Sequence, residues 1–382
     1  STAAAVNQVY SVGITAQGSA NGVISGNTVY LEGFVATSSS SANRAIDVGG
    51  ISAVGTYTIE RNMVNRVTGN APDFWLAHGI NLGGGNGHIV RNNFVSNVTL
   101  NTTSGGFTST TFCAAGIRIA SGLNHQIYHN TVNMNGVIPG ATQTITAALM
   151  ITASTLTGID VRNNIFVNSQ TGAGLSPIFV AVWLPSGATS SMNLTLNNND
   201  YFNGAVPTAS QGIGQAGTTA GTNFYTQANF NPAVTTPATN FRSYTSTLSA
   251  GGLNDNASTV ASPPLTSSTD LHIVAASVTP LESGGVAVGV STDIDGQSRP
   301  SGGTATFPDI GADEFAGTNP NPCVAAPVSV SVSPTSATYC TGSTPITLTA
   351  SGANTYAWAP AGGLSATTGS VVTASPSATN VY

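Results

Sequence analysis

The residues best suited to bind a ligand lie in or beside stretches inserted between short apolar segments of the chain. Asp73, Trp75 and His78 occupy one such stretch, and Arg118 and Trp183 each stand between two apolar residues of a later segment. An aromatic ring beside polar and charged groups can stack on a sugar ring and bond its hydroxyls. These five residues are our candidate ligand-binding set. The alternative is that the aromatic rings cover the end of the core, or that a loop covers Trp183.

Catalysis has less support in the sequence than binding. Glycoside hydrolysis needs two carboxylates about 5–9.5 Å apart. The acidic residues of the apolar region stand apart from one another in sequence: Asp47, Glu60, Asp73, Asp160 and Asp200. The histidines show no metal-ligand spacing on one strand, so we expect each to be a hydrogen-bonded surface or corner residue. No residue is assigned as catalytic.

One short acidic stretch raises the possibility of a metal. Asp293 and Asp295, followed by Gly296, could begin a calcium-binding loop, but the remaining ligands of a full motif are absent. Asp-Gly is also an ordinary turn signal. A turn held by Arg299 and an acidic neighbour is the favoured interpretation, and Ca²⁺ bound by Asp293 and Asp295 is the alternative.

Composition limits the partners and the compartment. Charged residues make up 6% of the 382 residues, against roughly 25% in ordinary soluble domains. The formal net charge is −6, and there is no basic patch of the kind that drives nucleic-acid binding. No apolar run approaches the ~20 residues of a membrane helix. Cys323 and Cys340 could form a disulfide in an oxidising compartment or remain two thiols, and the sequence leaves both open.

A repeated pattern predicts the scaffold that positions these residues. The pattern apolar-x-x-Asn-x-apolar occurs six times, and its asparagines are Asn27, Asn62, Asn93, Asn130, Asn164 and Asn199. An asparagine that returns every 31–37 residues indicates a fixed corner of a coil. Asparagine tolerates the left-handed conformation of a sharp bend, and stacked asparagines can bond one another.

An apolar-x-apolar element precedes each corner and predicts a second set of strands. Its period of two residues places the flanking residues inside and the central residue outside. The central residues should therefore form one outward row: Asp47, Asn81, Arg118, Met150 and Trp183. The insertions between corner strand and next element should emerge on one side of the coil, where binding residues commonly gather.

These coils, over residues 1–202, resemble the right-handed parallel β-helix repeats of pectate-lyase-like enzymes and many bacterial surface proteins. The resemblance implies an all-β fold with stacked aliphatic residues inside. It also implies one alternative function, because polysaccharide lyases of this fold use an arginine or lysine base and carboxylates that hold calcium. The chain has no lysine.

The rest of the chain resembles parts of exported bacterial proteins. Residues 203–317 should form irregular closing coils, and Thr292–Pro300 with Asp309–Phe315 resemble the choice-of-anchor Q segment of surface β-helix proteins. Residues 318–327 are a proline-containing linker. Residues 328–382, with Trp358 as core residue, resemble a partial Ig-like module of Bacteroidota proteins that use type IX secretion.

Together these features predict an extracellular, cell-surface adhesin or glycan-binding protein whose partners are glycans or surface components. The alternatives are a polysaccharide lyase or hydrolase on the same scaffold and a structural subunit of an extracellular fibre. The first coil starts near Tyr10 without a visible cap, so we expect further chain before Ser1 or self-association through the open end. The last module has too few strands to close, so we expect chain beyond Tyr382.

Overall fold

A computed structural model describes most of the chain. The described residues are 10–18, 20–31, 42–49, 55–70, 76–101, 106–107, 113–139, 143–172, 178–205, 207–217, 223–230, 240–301, 307–320, 331–340, 342–351 and 356–381. Of the predicted site residues, Asp73 and Trp75 lie outside these ranges, as does Cys323. The chain divides into two compact units, Ser1–Pro322 and Cys323–Tyr382.

The first unit is built from six successive coils of short strands. In chain order the strands are β1 (Tyr10–Ala16), β2 (Gly22–Ser25), β3 (Thr28–Leu31), β4 (Ala42–Val48), β5 (Tyr57–Glu60), β6 (Met63–Asn70), β7 (Leu76–Leu82), β8 (Ile89–Arg91), β9 (Phe94–Asn101), β10 (Gly106–Phe107), β11 (Ala114–Ile119), β12 (Gln126–Tyr128), β13 (Thr131–Met134), β14 (Val137–Ile138), β15 (Gln143–Ile151), β16 (Asp160–Arg162), β17 (Ile165–Asn168), β18 (Thr171–Gly172), β19 (Ile178–Leu184), β20 (Thr195–Asn197) and β21 (Asp200–Phe202).

Equivalent strands of successive coils pair in parallel and form three sheets. The first sheet has the order β1-β4-β7-β11-β15-β19, the second β2-β5-β8-β12-β16-β20, and the third β3-β6-β9-β13-β17-β21. Ile80 pairs with Ile46 on one side and with Ile117 on the other, so like residues stack from coil to coil. The predicted parallel β-helix is confirmed by this order and register.

The asparagine column is confirmed, but the left-handed residue is not the one expected. Side-chain amides link the six asparagines in sequence, with donor–acceptor distances of 2.9–3.0 Å. The residue before each asparagine has the positive φ, between 51° and 68°: Gly26, Arg61, Asn92, His129, Asn163 and Asn198. The bend therefore falls one residue earlier, and it frees the asparagine to turn inward and bond the chain above and below.

The interior of the coils is apolar and closely packed. The inward residues of the first sheet, among them Ile46, Ile80 and Leu149, have no exposed surface. Each strand also turns a small residue inward between its outward residues, such as Ala45, Gly79 and Ala148. A Cβ atom on Gly79 would lie 2.5 Å from the carbonyl oxygen of Gly116. The stacked positions of Ala45, Gly79 and Ala148 therefore require small residues, because the backbones of successive coils approach one another there.

The first sheet continues beyond residue 202, where the sequence pattern fades. β22 (Gln211–Ala216) pairs in parallel with β19, and β23 (Phe224–Tyr225) pairs with it in the antiparallel direction. Two 3₁₀ helices, Ser190–Met192 and Gln227–Phe230, and one α-helix, α1 (Phe241–Ser246), accompany them. Phe230 and Phe241 pack on Tyr201 at this end of the core, and Tyr225 packs on Phe241 and Tyr244.

Residues 265–301 and 307–318, here called the docked segment, lie along the outer side of the third sheet. Ile273, Leu281 and Ile310 pack on Ile165 of β17, and Leu271 packs on Phe94 of β9. The left-handed corner residues bind this segment through their side chains: Asn92 donates to Thr292 O, Asn163 to Val286 O and Asn198 to Gly284 O. The segment therefore runs beside the coils instead of forming further coils.

The second unit contains a small antiparallel sheet. Its strands are β24 (Ser331–Ser333), β25 (Ile346–Ser351) and β26 (Val371–Ala374), in that order. Trp358 is buried among Leu348, Ala350 and Val372, as predicted for a core residue. This sheet with one packed face is consistent with the expected partial sandwich. Cys340 is exposed, and Cys323, with which it could form a disulfide, lies outside the described residues.

The helices in the described ranges are short. The longest, α1, has six residues, and none combines the length and apolar character required to cross a bilayer.

Candidate functional site

The outer face of the first sheet brings several predicted residues into one row. Asp47 of β4 pairs with Asn81 of β7, which pairs with Arg118 of β11. Arg118 pairs with Met150 of β15, which in turn pairs with Trp183 of β19. The outward row expected from the period of two residues is thus confirmed.

Ion pairs and hydrogen bonds connect the polar half of this row. Arg118 Nη1 donates to Asn81 Oδ1 at 2.9 Å, and Asn81 Nδ2 donates to Asp47 Oδ1 at 2.7 Å. Asp47 Oδ2 accepts from Arg44 Nη1 at 3.2 Å. The continuous chain Arg44–Asp47–Asn81–Arg118, here called the polar row, fixes two guanidinium groups on one sheet face.

Arg44 was missed by the sequence analysis, and its place follows from strand geometry. It is three residues before Asp47 and still on the same face, because the inward Ala45 and Ile46 lie between them. Strict alternation would have placed Arg44 and Asp47 on opposite faces. The sequence signal that could have found it is the small residue at position 45, which recurs as Gly79 and Gly116 in the following coils.

The apolar half of the row does not expose the predicted aromatic ligand. Trp183 faces outward but has no exposed surface, and it packs with Cys113, Ile145, Ile178 and Val180. Of the two interpretations left open for Trp183, an exposed ligand residue or a covered ring, the structure supports the covered ring. Its direction was correct, but a second apolar cluster on the outer face covers it.

His78 is buried as well, contrary to the expectation of a surface or corner position. It has no exposed surface, and its Nε2 lies 3.8 Å from the sulfur of Cys113. The same sulfur lies 3.4 Å from Met150 Sδ. His78 and Arg118 thus lie on the same outer face as Trp183, on neighbouring strands β7 and β11, whereas Asp73 and Trp75 fall outside the described residues.

Burial sets the protonation of this region. Desolvation, reinforced by Arg118 and Arg44, holds the pKa of His78 well below its ordinary value, so the imidazole is neutral at pH 7. Desolvation raises the pKa of Cys113 to about 11, so its thiol is protonated. Desolvation also lowers the pKa of Arg118, although the attraction of its positive charge to the Asp47 carboxylate opposes this shift. With two arginines and one carboxylate, the polar row carries a net positive charge.

Three polar atoms on this face lack a hydrogen-bond partner within the described part of the chain. They are Arg44 Nε, His78 Nδ1 and Trp183 Nε1, and each is buried. Buried polar groups are nearly always bonded, so three exceptions on one sheet face are unusual. The outer face of the first sheet therefore has hydrogen-bonding capacity that its described protein neighbours do not use.

Carboxylates suited to hydrolysis are sparse on this face. Within the described strands of the first sheet, Asp47 is the one acidic residue, and it is committed to Arg44 and Asn81. On the second sheet, Glu60 pairs with Arg91 at 2.7 Å, and the two residues are aligned one coil apart. Asp160 of that sheet pairs with Arg162 at 2.5 Å.

The predicted metal residues Asp293 and Asp295 face different partners. Asp293 is fully buried, and its oxygens accept from the backbone N–H groups of Asp295, Gln297 and Glu314. Its contacts are those of a turn. The Asp295 carboxylate is directed toward His272 instead. Arg299 and Glu314, 2.7 Å apart, form an ion pair next to this turn, as the favoured interpretation expected.

A metal-ligating group does occur near that turn, with different members. His272, Asp295 and Asp313 each offer one ligand atom, and these atoms all lie within 4.8 Å of one another. The sequence analysis missed His272 and Asp313 because they are 23 and 18 residues from Asp295. Short-range spacing could not have identified them.

In comparisons with known proteins, no family model, curated protein or solved structure matches the chain.

Proposed function

We propose that this chain is an extracellular, cell-surface glycan-binding protein whose ligand contacts the outer face of the first sheet. The observation that carries the proposal is the polar row, whose Arg44 end reaches the protein surface. A rigid sheet holds these groups in fixed positions, which reduces the entropy lost when a ligand binds.

The chemistry of the polar row favours a saccharide that carries carboxylate groups. A guanidinium group offers a planar fork of donors that matches a carboxylate, and the row has a net positive charge. Arg44 is about a quarter exposed, with 24% of its side-chain surface accessible, so a ligand can reach it. Asn81 bonds both Asp47 and Arg118 and so holds the charged groups of the row in place for the ligand.

The remaining features support the proposal that this binding face belongs to an exported protein. The low charge of the chain, 6% Asp, Glu, Lys and Arg, suits contact with hydroxyl-rich surfaces. The antiparallel sheet of the second unit supports a partial Ig-like module, and its sequence resemblance supports export by type IX secretion. We therefore propose that the second unit is a partial Ig-like module and that the chain is exported by type IX secretion.

The proposal is tested by screening the full chain on a glycan array and then titrating the best saccharide by calorimetry. Arg44→Gln should weaken binding by roughly 10- to 100-fold, because a charged hydrogen bond contributes about 1.5–3 kcal/mol. The matched control is Arg162→Gln, which removes a similarly exposed, ion-paired arginine from the second sheet. No binding to any glycan, or equal losses in both variants, would contradict the proposal.

A polysaccharide lyase is the second candidate, and Arg118 is the observation that favours it. Burial lowers the pKa of this guanidinium, which is the direction that an arginine base requires. Incubation with acidic polysaccharides, followed by absorbance of unsaturated products, distinguishes the two functions. We expect binding without product; product that disappears in Arg118→Lys would establish the lyase instead.

A further inference from the structure

We infer that His272, Asp295 and Asp313 form a binding site for a divalent transition-metal cation, with Asp270 as the group that orients the imidazole. The three ligand atoms lie within 4.8 Å of one another. This site belongs to the docked segment and is separate from the polar row on the first sheet.

Backbone hydrogen bonds bring the three ligands together from different parts of the docked segment. Asp313 is buried, and its Oδ2 accepts from the backbone N–H of Ile273 at 2.8 Å, next to His272. Ile294 N–H donates to Ala312 O at 2.9 Å, which joins the turn of Asp295 to the segment that carries Asp313. The ligands are therefore positioned by the fold and do not depend on a flexible loop.

The imidazole of His272 is held in the orientation that ligation requires. Its Nδ1 lies 2.5 Å from Asp270 Oδ1, and its Nε2 lies 2.9 Å from Asp295 Oδ2. The ring also meets the edge of Phe94, with 4.8 Å between ring centroids. A carboxylate bonded to one ring nitrogen fixes the tautomer that presents the other nitrogen to a metal, a common arrangement around metal-binding histidines.

The charge around this site favours a cation. Three carboxylates, of Asp270, Asp295 and Asp313, surround one imidazole. The nearby Arg299 is paired with Glu314 at 2.7 Å and so is directed to another carboxylate. A bound dication would balance the negative charge of these three carboxylates.

The donor set selects the class of cation. One imidazole nitrogen and two carboxylate oxygens suit Zn²⁺, Co²⁺, Ni²⁺ or Mn²⁺, whereas Ca²⁺ takes six to eight oxygens. Metal–ligand distances of about 2.0–2.2 Å at a tetrahedral angle separate ligand atoms by roughly 3.4 Å. The 2.9 Å between His272 Nε2 and Asp295 Oδ2 would widen by about half an ångström, which a 48%-exposed Asp295 side chain allows.

The test is calorimetric titration of the full chain with Zn²⁺, and separately with Ca²⁺, after treatment with a chelator. We expect Zn²⁺ to bind, Co²⁺ to give the visible absorption of a ligated ion, and Asp295→Asn and His272→Gln to weaken Zn²⁺ binding at least roughly tenfold. Asp160→Asn, which changes an ion-paired aspartate on the second sheet, is the matched control and should bind as the unchanged protein does.

Melting of each metal-free variant is the second measurement, and it separates ligand loss from misfolding. Asp295 lies on the surface, so Asp295→Asn should keep the melting temperature of the metal-free protein while losing the rise caused by Zn²⁺. The inference is overturned if Zn²⁺ does not bind, if Asp295→Asn and His272→Gln bind it unchanged, or if Ca²⁺ binds more tightly than Zn²⁺.

Discussion

At the scale of single residues, two consecutive residues form each corner of the coil and have different roles. The left-handed residue turns the chain and directs its side chain outward, as Asn163 does toward Val286. The following asparagine is fully buried and bonds along the coil axis. An asparagine is needed at the second position because it alone combines an amide donor and acceptor on a side chain short enough for this space.

Replacement of one ladder asparagine should therefore be costly. Asn130 donates to Val90 O, Tyr128 O and Asn164 Oδ1 and accepts from Asn93, all within the core. Asn130→Ala leaves several of these groups buried without partners and should lower the free energy of unfolding by about 2–4 kcal/mol. Urea unfolding measures this loss.

The control for Asn130→Ala is the same change at the first rung of the ladder. Asn27 is partly exposed and bonds to a ladder neighbour on one side, Asn62. Asn27→Ala should cost less than half as much, because water can replace the lost hydrogen bonds. Equal losses at Asn27 and Asn130 would show that burial does not determine the contribution of the ladder.

At the scale of the element, the strands of the first sheet depart from simple alternation. Two inward residues, such as Ala45 and Ile46, separate two outward ones. This irregularity brings Arg44 and Asp47 onto one face and so creates the polar row. The inward residue at the bend must be small, since a Cβ on Gly116 would lie 2.3 Å from Val132 Cγ1 and 2.7 Å from Ala148 O.

A methyl group added to this inner column should destabilise the coils. Gly79→Ala would place a Cβ 2.5 Å from both Gly116 O and Val95 Cγ1, and backbone cannot yield without moving the next coil. We expect a loss of about 1–3 kcal/mol in unfolding free energy. Gly251→Ala is the control, because the nearest atom, Ser249 Oγ, would be 3.9 Å away. A loss no larger than that of the control would show that the coils can separate at little cost.

At the scale of the whole first unit, the coil histidines are buried and neutral. His78, His88, His125 and His129 are 0–1% exposed, and desolvation lowers the pKa of each. The unfolded chain therefore takes up protons near pH 6.5 that the folded chain does not bind. Acid should destabilise this unit even though it has few carboxylates.

The expected pH dependence follows from His125, whose pKa is lowered to about 4. Between about pH 4 and 6.5 the unfolded state binds more protons, so the free energy of unfolding rises with pH and then levels off. His125 alone contributes up to about 3 kcal/mol to this rise. His125→Gln should flatten the dependence when urea unfolding is repeated across this pH range.

His272 provides the opposite control for this experiment. Its pKa is raised, so it stabilises the folded state at low pH, and this contribution is lost as pH rises through its folded pKa. His272→Gln should therefore leave the rise between pH 4 and 6.5 unchanged and remove a fall in stability that begins above about pH 6.5. A flat profile in the unchanged protein would contradict the neutral state of the buried histidines.

The sequence by itself determined the coil, its corners and the direction of most side chains. A period of two residues decides which face of a strand a side chain occupies, and the recurrence of Asn93 and Asn130 fixes the length of a coil. These are local properties, so the column of asparagines and the outward row from Asp47 to Trp183 could be predicted without coordinates.

Only the tertiary structure decided what covers each face. Trp183 points outward as predicted yet is buried, because residues from neighbouring coils pack over it. The docked segment follows the third sheet, and it brings His272, Asp295 and Asp313 together. Periodicity reports the direction of a side chain, whereas burial and ligand geometry depend on contacts between residues distant in sequence, which no local pattern records.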